Sequence, residues 1–225
     1  MAKILINGGP IQFIRNFQLL TKIFKSILSQ EPIRMSTYTI ENLISASNSL
    51  GQPGQIGQNA NQILMQFTED ENAWQLAPEI ISSDATPDQL KTYAVTSLKN
   101  LIRKRWGLVD EAQRATISGF LFNFIIEYAR KPQIFQPLLD EADLALVYVL
   151  IQEWPHNHTT FFNDIISAAG TSEAFCCNSL KLIELFCQLV LEDNDTEIPY
   201  AKSVELANNL QNISQTIYTF LGGVI

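Results

Sequence analysis

The stretch that decides the fold is residues 146–192, LVYVLIQEWPHNHTTFFNDIISAAGTSEAFCCNSLKLIELFCQLVLE. It reads as two long apolar helices around a break at Trp154-Pro155. Its apolar residues recur at helical spacing, without the alternation of a strand. Proline lacks an amide donor and crowds the residue before it, so the first helix must stop at or before Trp154. In the second helix the polar residues Asn178, Lys181, Glu184 and Gln188 step by three or four positions and share one stripe. Apolar side chains fill most of the remaining circumference, which suits a helix flanked by other helices.

Outward from this run almost every segment carries the same signature, with glycine and proline between apolar blocks. Helices are predicted at 39–50, 58–68, 72–82, 86–105, 111–130, 137–153, 160–169, 172–191 and 199–221. Thr86-Pro87-Asp88 places Pro87 at a first helical position. Asp110 caps the next helix ahead of Glu111. Thr171-Ser172-Glu173 supplies a cap and an early acid that suits the helix dipole. Long helices end at Arg105-Trp106, at Glu153-Trp154 and near Glu192, roughly 40 to 48 residues apart, the period of HEAT-type hairpins. One hairpin cannot bury its own apolar face, so neighbours must stack. The predicted fold is all-α, a HEAT-repeat solenoid of about three and a half helical hairpins.

A second polar stripe runs through 86–105: Thr92, Thr96, Lys99 and Arg103, with Asn100 and Lys104 beside it. Such a stripe is either a solvated face or, in a solenoid, part of the concave surface that holds a partner. Both readings stay open at this point.

Composition narrows the function classes. The chain has 225 residues, of which 46% are apolar, enough for a sizeable core. Its net charge is −8, which disfavours nucleic acid and favours basic protein partners. The balance is uneven: before Met35 stand Lys3, Arg15, Lys22, Lys25 and Arg34 against Glu31 alone, and acids dominate afterwards. No uninterrupted apolar run reaches the length of a membrane span. Cys176, Cys177 and Cys187 fall within one helical segment and form no disulfide framework; they are expected to be reduced, buried packing residues.

Three pieces of sequence carry a resemblance. The first is GQIGQNANQILMQFTEDENAW, residues 54–74; the second is LKTYAVTSLKNLIRKRWGLV, residues 90–109; the third is the run 146–192, with EWP, TTFFNDII and TSEAFCCNSLKLIELF in that order. Together they resemble the amino-terminal region of the exportin-1 family, nuclear transport receptors of the importin-beta (karyopherin) superfamily. The likeness extends over roughly 38–221. Glu71 stands where the family often has proline, and His158-Thr159 where it commonly has a second Trp-Pro; these departures leave the helix boundaries intact.

Residues 1–34 do not match; Ile14, Phe17, Leu20, Phe24 and Ile27 recur there at helical spacing, so they read as an atypical basic amphipathic extension. The resemblance implies an importin-beta amino-terminal-like first repeat at 35–110 and exportin-1-like repeats at 111–225, the last incomplete. MSTYTIENL, from Met35, reads as the customary start. The resemblance also implies a receptor that shuttles between nucleus and cytoplasm and binds the GTPase Ran in its GTP form through inner helices. By position Lys99 and Arg105 are carried over as Ran contacts. Asn100, Arg103, Asn178, Lys181, Glu184 and Gln188 join them as stripe residues. Export cargo and nucleoporins are expected partners only if further repeats exist, since the family's export-signal groove lies beyond this segment. A different reading is a truncated, non-transporting helical scaffold or adaptor whose last helix exposes Leu206, Leu210, Ile213, Ile217 and Phe220.

No catalytic or metal chemistry is expected. His156 and His158 form an H-x-H pair without a third ligand at a familiar spacing. LGQPGQIGQ, residues 50–58, is glycine-rich but lacks the Lys-Ser/Thr of a phosphate loop and reads as a helix connector. Asp70/Glu71 and Asp140/Glu141/Asp143 lie in turns or helix starts, with nothing to raise a carboxylate pKa for acid-base work. No cofactor is expected, and neither nucleic acid nor membrane as a partner.

Overall fold

The computed structural model describes residues 38–170, 172–191 and 198–224, together with Lys22 and Ser26. The extension at 1–34 therefore lies outside the described residues apart from those two, as does Thr171. Contacts divide the chain into two compact units, one ending at Leu146 and the other resuming at Val147. All regular elements among the described residues are helices, with no strand.

The first unit contains α1 (Ile40–Ser49), α2 (Gln55–Glu69), α3 (Ala77–Ser82), α4 (Asp88–Arg105), α5 (Glu111–Ala129) and the opening of α6 (Gln136–Glu153). Short 3-10 turns, Ala73–Leu76 and Trp106–Leu108, precede α3 and follow α4. Thr39 caps α1, its hydroxyl accepting the Asn42 amide at 3.3 Å. The glycine-rich connector is a turn that needs its glycines. Gly54 has φ 73°, and a Cβ on Gly57 would lie 2.1 Å from the Gln52 carbonyl oxygen.

In this unit α1 packs on α2, α3 on α4, and α2 lies beside α4. Leu43, Leu64, Phe67, Leu90 and Leu98 fill the contact with no solvent exposure. The described part of 35–110 thus holds two helix pairings. Trp74 and Trp106 are buried, packing the turns that close these pairings. Asp110 caps α5 as expected, accepting the Gln113 amide at 2.9 Å. Pro87 is one position earlier than expected: its ψ of 139° is extended, so it is the cap and Asp88 opens α4. From Thr116 to Ile126 every α5 residue except Gly119 is buried, as befits a helix apolar around nearly its whole circumference.

The second unit holds the end of α6, then α7 (Phe161–Ala169), α8 (Glu173–Leu191) and α9 (Tyr200–Val224). The TTFFNDII and AFCC…LIELF segments meet in an aromatic cluster. Trp154 stands edge-on to Phe162 at 5.2 Å and to Phe186 at 5.7 Å, and those two phenyls meet at 5.4 Å. Ser172 caps α8, its hydroxyl accepting the Phe175 amide at 3.2 Å. By length and hydropathy α8 could cross a membrane, yet it packs on α7 and α9 and carries Lys181, Glu184 and Gln188. Among the described residues no disulfide forms; Cys177 is exposed and Cys176 and Cys187 are half-buried, which corrects the expectation that all three pack inside. The α9 apolar face is also less open than expected. Leu206 and Leu210 are buried, while Ile213, Ile217 and Phe220 are half-buried.

Candidate functional site

The α4 stripe is real but occupied. Thr96 Oγ1 donates to Glu141 Oε1 at 2.5 Å, and Lys99 Nζ reaches the same oxygen at 2.6 Å. The Lys99 and Glu141 side chains are only 15% and 16% exposed, so α6 holds a clamp across α4. One turn on, Asn100 is buried, contrary to the expectation that it faces a partner. Its amide donates to the Thr68 carbonyl at 2.8 Å and to Glu69 Oε1 at 3.1 Å. The physical reason is a buried amide's need for acceptors, which the end of α2 supplies.

The basic end of α4 meets acids as well. Lys104 Nζ lies 2.8 Å from Glu69 Oε2, and Arg105 Nη1 lies 3.6 Å from Glu71 Oε1. Lys104 and Glu69 are 48% and 59% exposed, Arg105 and Glu71 24% and 78%. The Lys104 hydrogen bond holds the Glu69 carboxyl below the usual range, aided by that ammonium's charge and by Asn100. Arg103 is half-buried on the same helix.

In the second unit the α8 stripe emerges gradually. Asn178 is buried and so is unavailable to a partner, a correction to its place on the open stripe. Lys181 is half-buried; Glu184 and Gln188 are exposed. The two histidines part company. His156 meets Glu205 at 2.6 Å, and Lys202 joins Glu205 at 3.1 Å and the Trp154 carbonyl at 3.3 Å, tying α9 to the Trp-Pro turn. Burial keeps the His158 pKa low, opposed by Glu153. Among the described residues no three His, Cys, Asp or Glu side chains gather as a metal site.

Glu69, Glu71 and Glu141 belong to the α4 surface; the sequence reading places Glu71 and Glu141 in turns or helix starts and does not single out Glu69. A signal existed: opposite charges one hairpin apart fall on neighbouring helices. Lys104 and Glu69 are 35 residues apart, and Lys99 pairs with Glu141 across a similar separation.

Two family models match this framework. The importin-beta N-terminal domain matches 60–127, from within α2 to the last turns of α5. The exportin 1-like protein model matches 136–225, starting at the first residue of α6. Similar curated proteins include exportin-1 of Schizosaccharomyces pombe, 30% identical over 156 residues, which is 68% of this chain and 14% of that protein. Exportin-1 of Drosophila melanogaster is 25% identical over 169 residues, 74% of this chain and 16% of its own. Protein EXPORTIN 1B of Arabidopsis thaliana is 24% identical over 163 residues, 71% and 15% respectively. The match therefore spans only a small part of the length of the relatives.

Proposed function

Because this chain is a relative of exportin-1 over that receptor's amino-terminal region, we propose that it is a nuclear transport receptor segment that binds Ran in its GTP form. The observation that carries this reading is the order of the two matched models along the chain, with a basic helix end at Arg103-Lys104-Arg105 in the importin-beta N-terminal part. Arg105, Arg103 and Lys104 are the α4 contacts in this proposal, with Lys181, Glu184 and Gln188 on α8. Lys99 contributes by fixing α4 against α6. In a receptor, Ran-GTP and export cargo would raise each other's affinity, and the coupling would be reciprocal.

The test is capture of Ran loaded with GTP or with GDP on the immobilised chain. Selective retention of the GTP form is expected; equal retention, or none, overturns the proposal. Within a positive result, Arg105→Glu should weaken capture at low salt, because it reverses a charge at a half-exposed position.

A further inference from the structure

The basic end of α4 already has carboxylates of its own chain against it, and they differ in how firmly they are held. Lys99 and Glu141 form the shortest and most enclosed pair, shared with Thr96. Breaking it would strand a charge with little water around it. Lys104–Glu69 and Arg105–Glu71 are different. Their acids are 59% and 78% exposed, and pairs of this kind are weakly held and readily exchanged; Glu69 Oε1 also accepts from Asn100, whose amide keeps the Thr68 carbonyl as acceptor when that carboxylate moves away.

Glu69 is also placed against the interest of its own helix. It is the last residue of α2, where the helix dipole favours a cation, and α2 has no basic residue in its last turn. Glu71 has no capping role for α2, whose C-cap is Asp70. What both acids share is the basic end of α4.

We propose that Glu69 and Glu71 are internal stand-ins for the carboxylates of an acidic protein face, covering Lys104 and Arg105 until a partner displaces them. The surface then selects partners that offer at least two acidic groups in the same spacing, and resists single charges. This inference rests on the Ran reading only for the partner's identity; the acidic chemistry of the partner face follows from the local basic end of α4, although the net charge of −8 favours basic partners for the chain as a whole.

The experiment compares the full chain with its Glu69→Gln/Glu71→Gln variant, each titrated with GTP-loaded Ran and, separately, with a poly-glutamate peptide. Far-ultraviolet circular dichroism checks folding, and Glu71→Gln alone serves if the double variant is not folded, since Glu71 is 78% exposed. Removal of the two competitors should tighten binding of the acidic probe about threefold to tenfold, the worth of two exposed pairs. The gain should shrink in high salt. If the wild-type chain ignores Ran, the Ran reading fails, and the poly-glutamate arm still decides this proposal. Unchanged or weaker poly-glutamate binding by the variant overturns it. Tighter binding that persists after Lys104→Gln/Arg105→Gln is added overturns it too, because the gain would then come from elsewhere.

Discussion

Glu141→Gln is the most informative single change in the first unit. It leaves the Lys99 ammonium beside a neutral amide in a position only 15% exposed. At 2.6 Å and an effective dielectric of ~20, the lost attraction is roughly 6 kcal/mol before desolvation is counted. Desolvation offsets much of that, and removing one partner of a buried pair costs about 3–5 kcal/mol. Residual water access at both side chains lowers the expectation to about 2–3 kcal/mol. Replacing both, as Lys99→Met/Glu141→Leu, should cost no more than about 1 kcal/mol, because no charge is then stranded. Thr96 keeps an acceptor in that variant, the Thr92 carbonyl at 3.0 Å. Urea unfolding of Lys99→Met, Glu141→Leu and the double variant closes a mutant cycle, with a coupling of about 2 kcal/mol expected. A coupling below about 0.5 kcal/mol would refute the clamp and return Lys99 to the list of groups open to a partner.

Gly119→Ala should stabilise the chain by about 0.5–1 kcal/mol, since a Cβ there meets nothing within 4 Å in mid-helix; a loss of stability in thermal unfolding would contradict this. Gly57→Ala should cost about 1–3 kcal/mol through its 2.1 Å approach to the Gln52 carbonyl, and equal stability would mean the connector is not as drawn. Phe186→Ala, at a fully buried ring, should cost about 3–5 kcal/mol and Phe186→Leu less than half of that, read by urea unfolding. Tyr128 is pushed up to about 12, by burial first and also by Asp88, whose Oδ2 accepts from its hydroxyl at 2.8 Å. A folded pKa above the unfolded value of about 10 means stability is full below that pH and is lost as pH rises towards the folded value. Tyr128→Phe should abolish that alkaline loss, and an unchanged alkaline midpoint would count against it. Glu69 has the opposite sign: its lowered pKa contributes stability above the ordinary carboxylate range that is lost as pH falls through the folded value. Glu69→Gln should therefore flatten the acid limb of the stability curve.

Helix positions were legible because their signals are local. Asp110 and Ser172 cap where the sequence places them, and the Trp154-Pro155 break falls one residue after α6 ends. Pro87 was misplaced by one because an extended proline can serve as the cap as readily as open the helix. The site was less legible for a different reason. Helical spacing puts Asn100 on the same side as Lys104, but it cannot say whether that side meets water or the end of α2. Asn100 is answered by Thr68 and Glu69, and Lys99 by Glu141, all from other helices. Asn178 reads as polar and proves buried, since helical spacing alone does not tell which side of α8 its neighbours cover. The resemblance located α4 as the surface of interest; only the folded chain reveals which of its cations are already engaged.

Helix α5, buried from Thr116 to Ile126 apart from Gly119, has a consequence on the time axis. Its amides are bonded within the helix and screened from water on nearly every side, so local fraying cannot expose them. They should be the last in the first unit to exchange hydrogen for deuterium, and only when that unit opens as a whole. Their exchange rate is then a direct clock for the unit's global opening, against which the protection conferred by any partner bound at α4 can be measured.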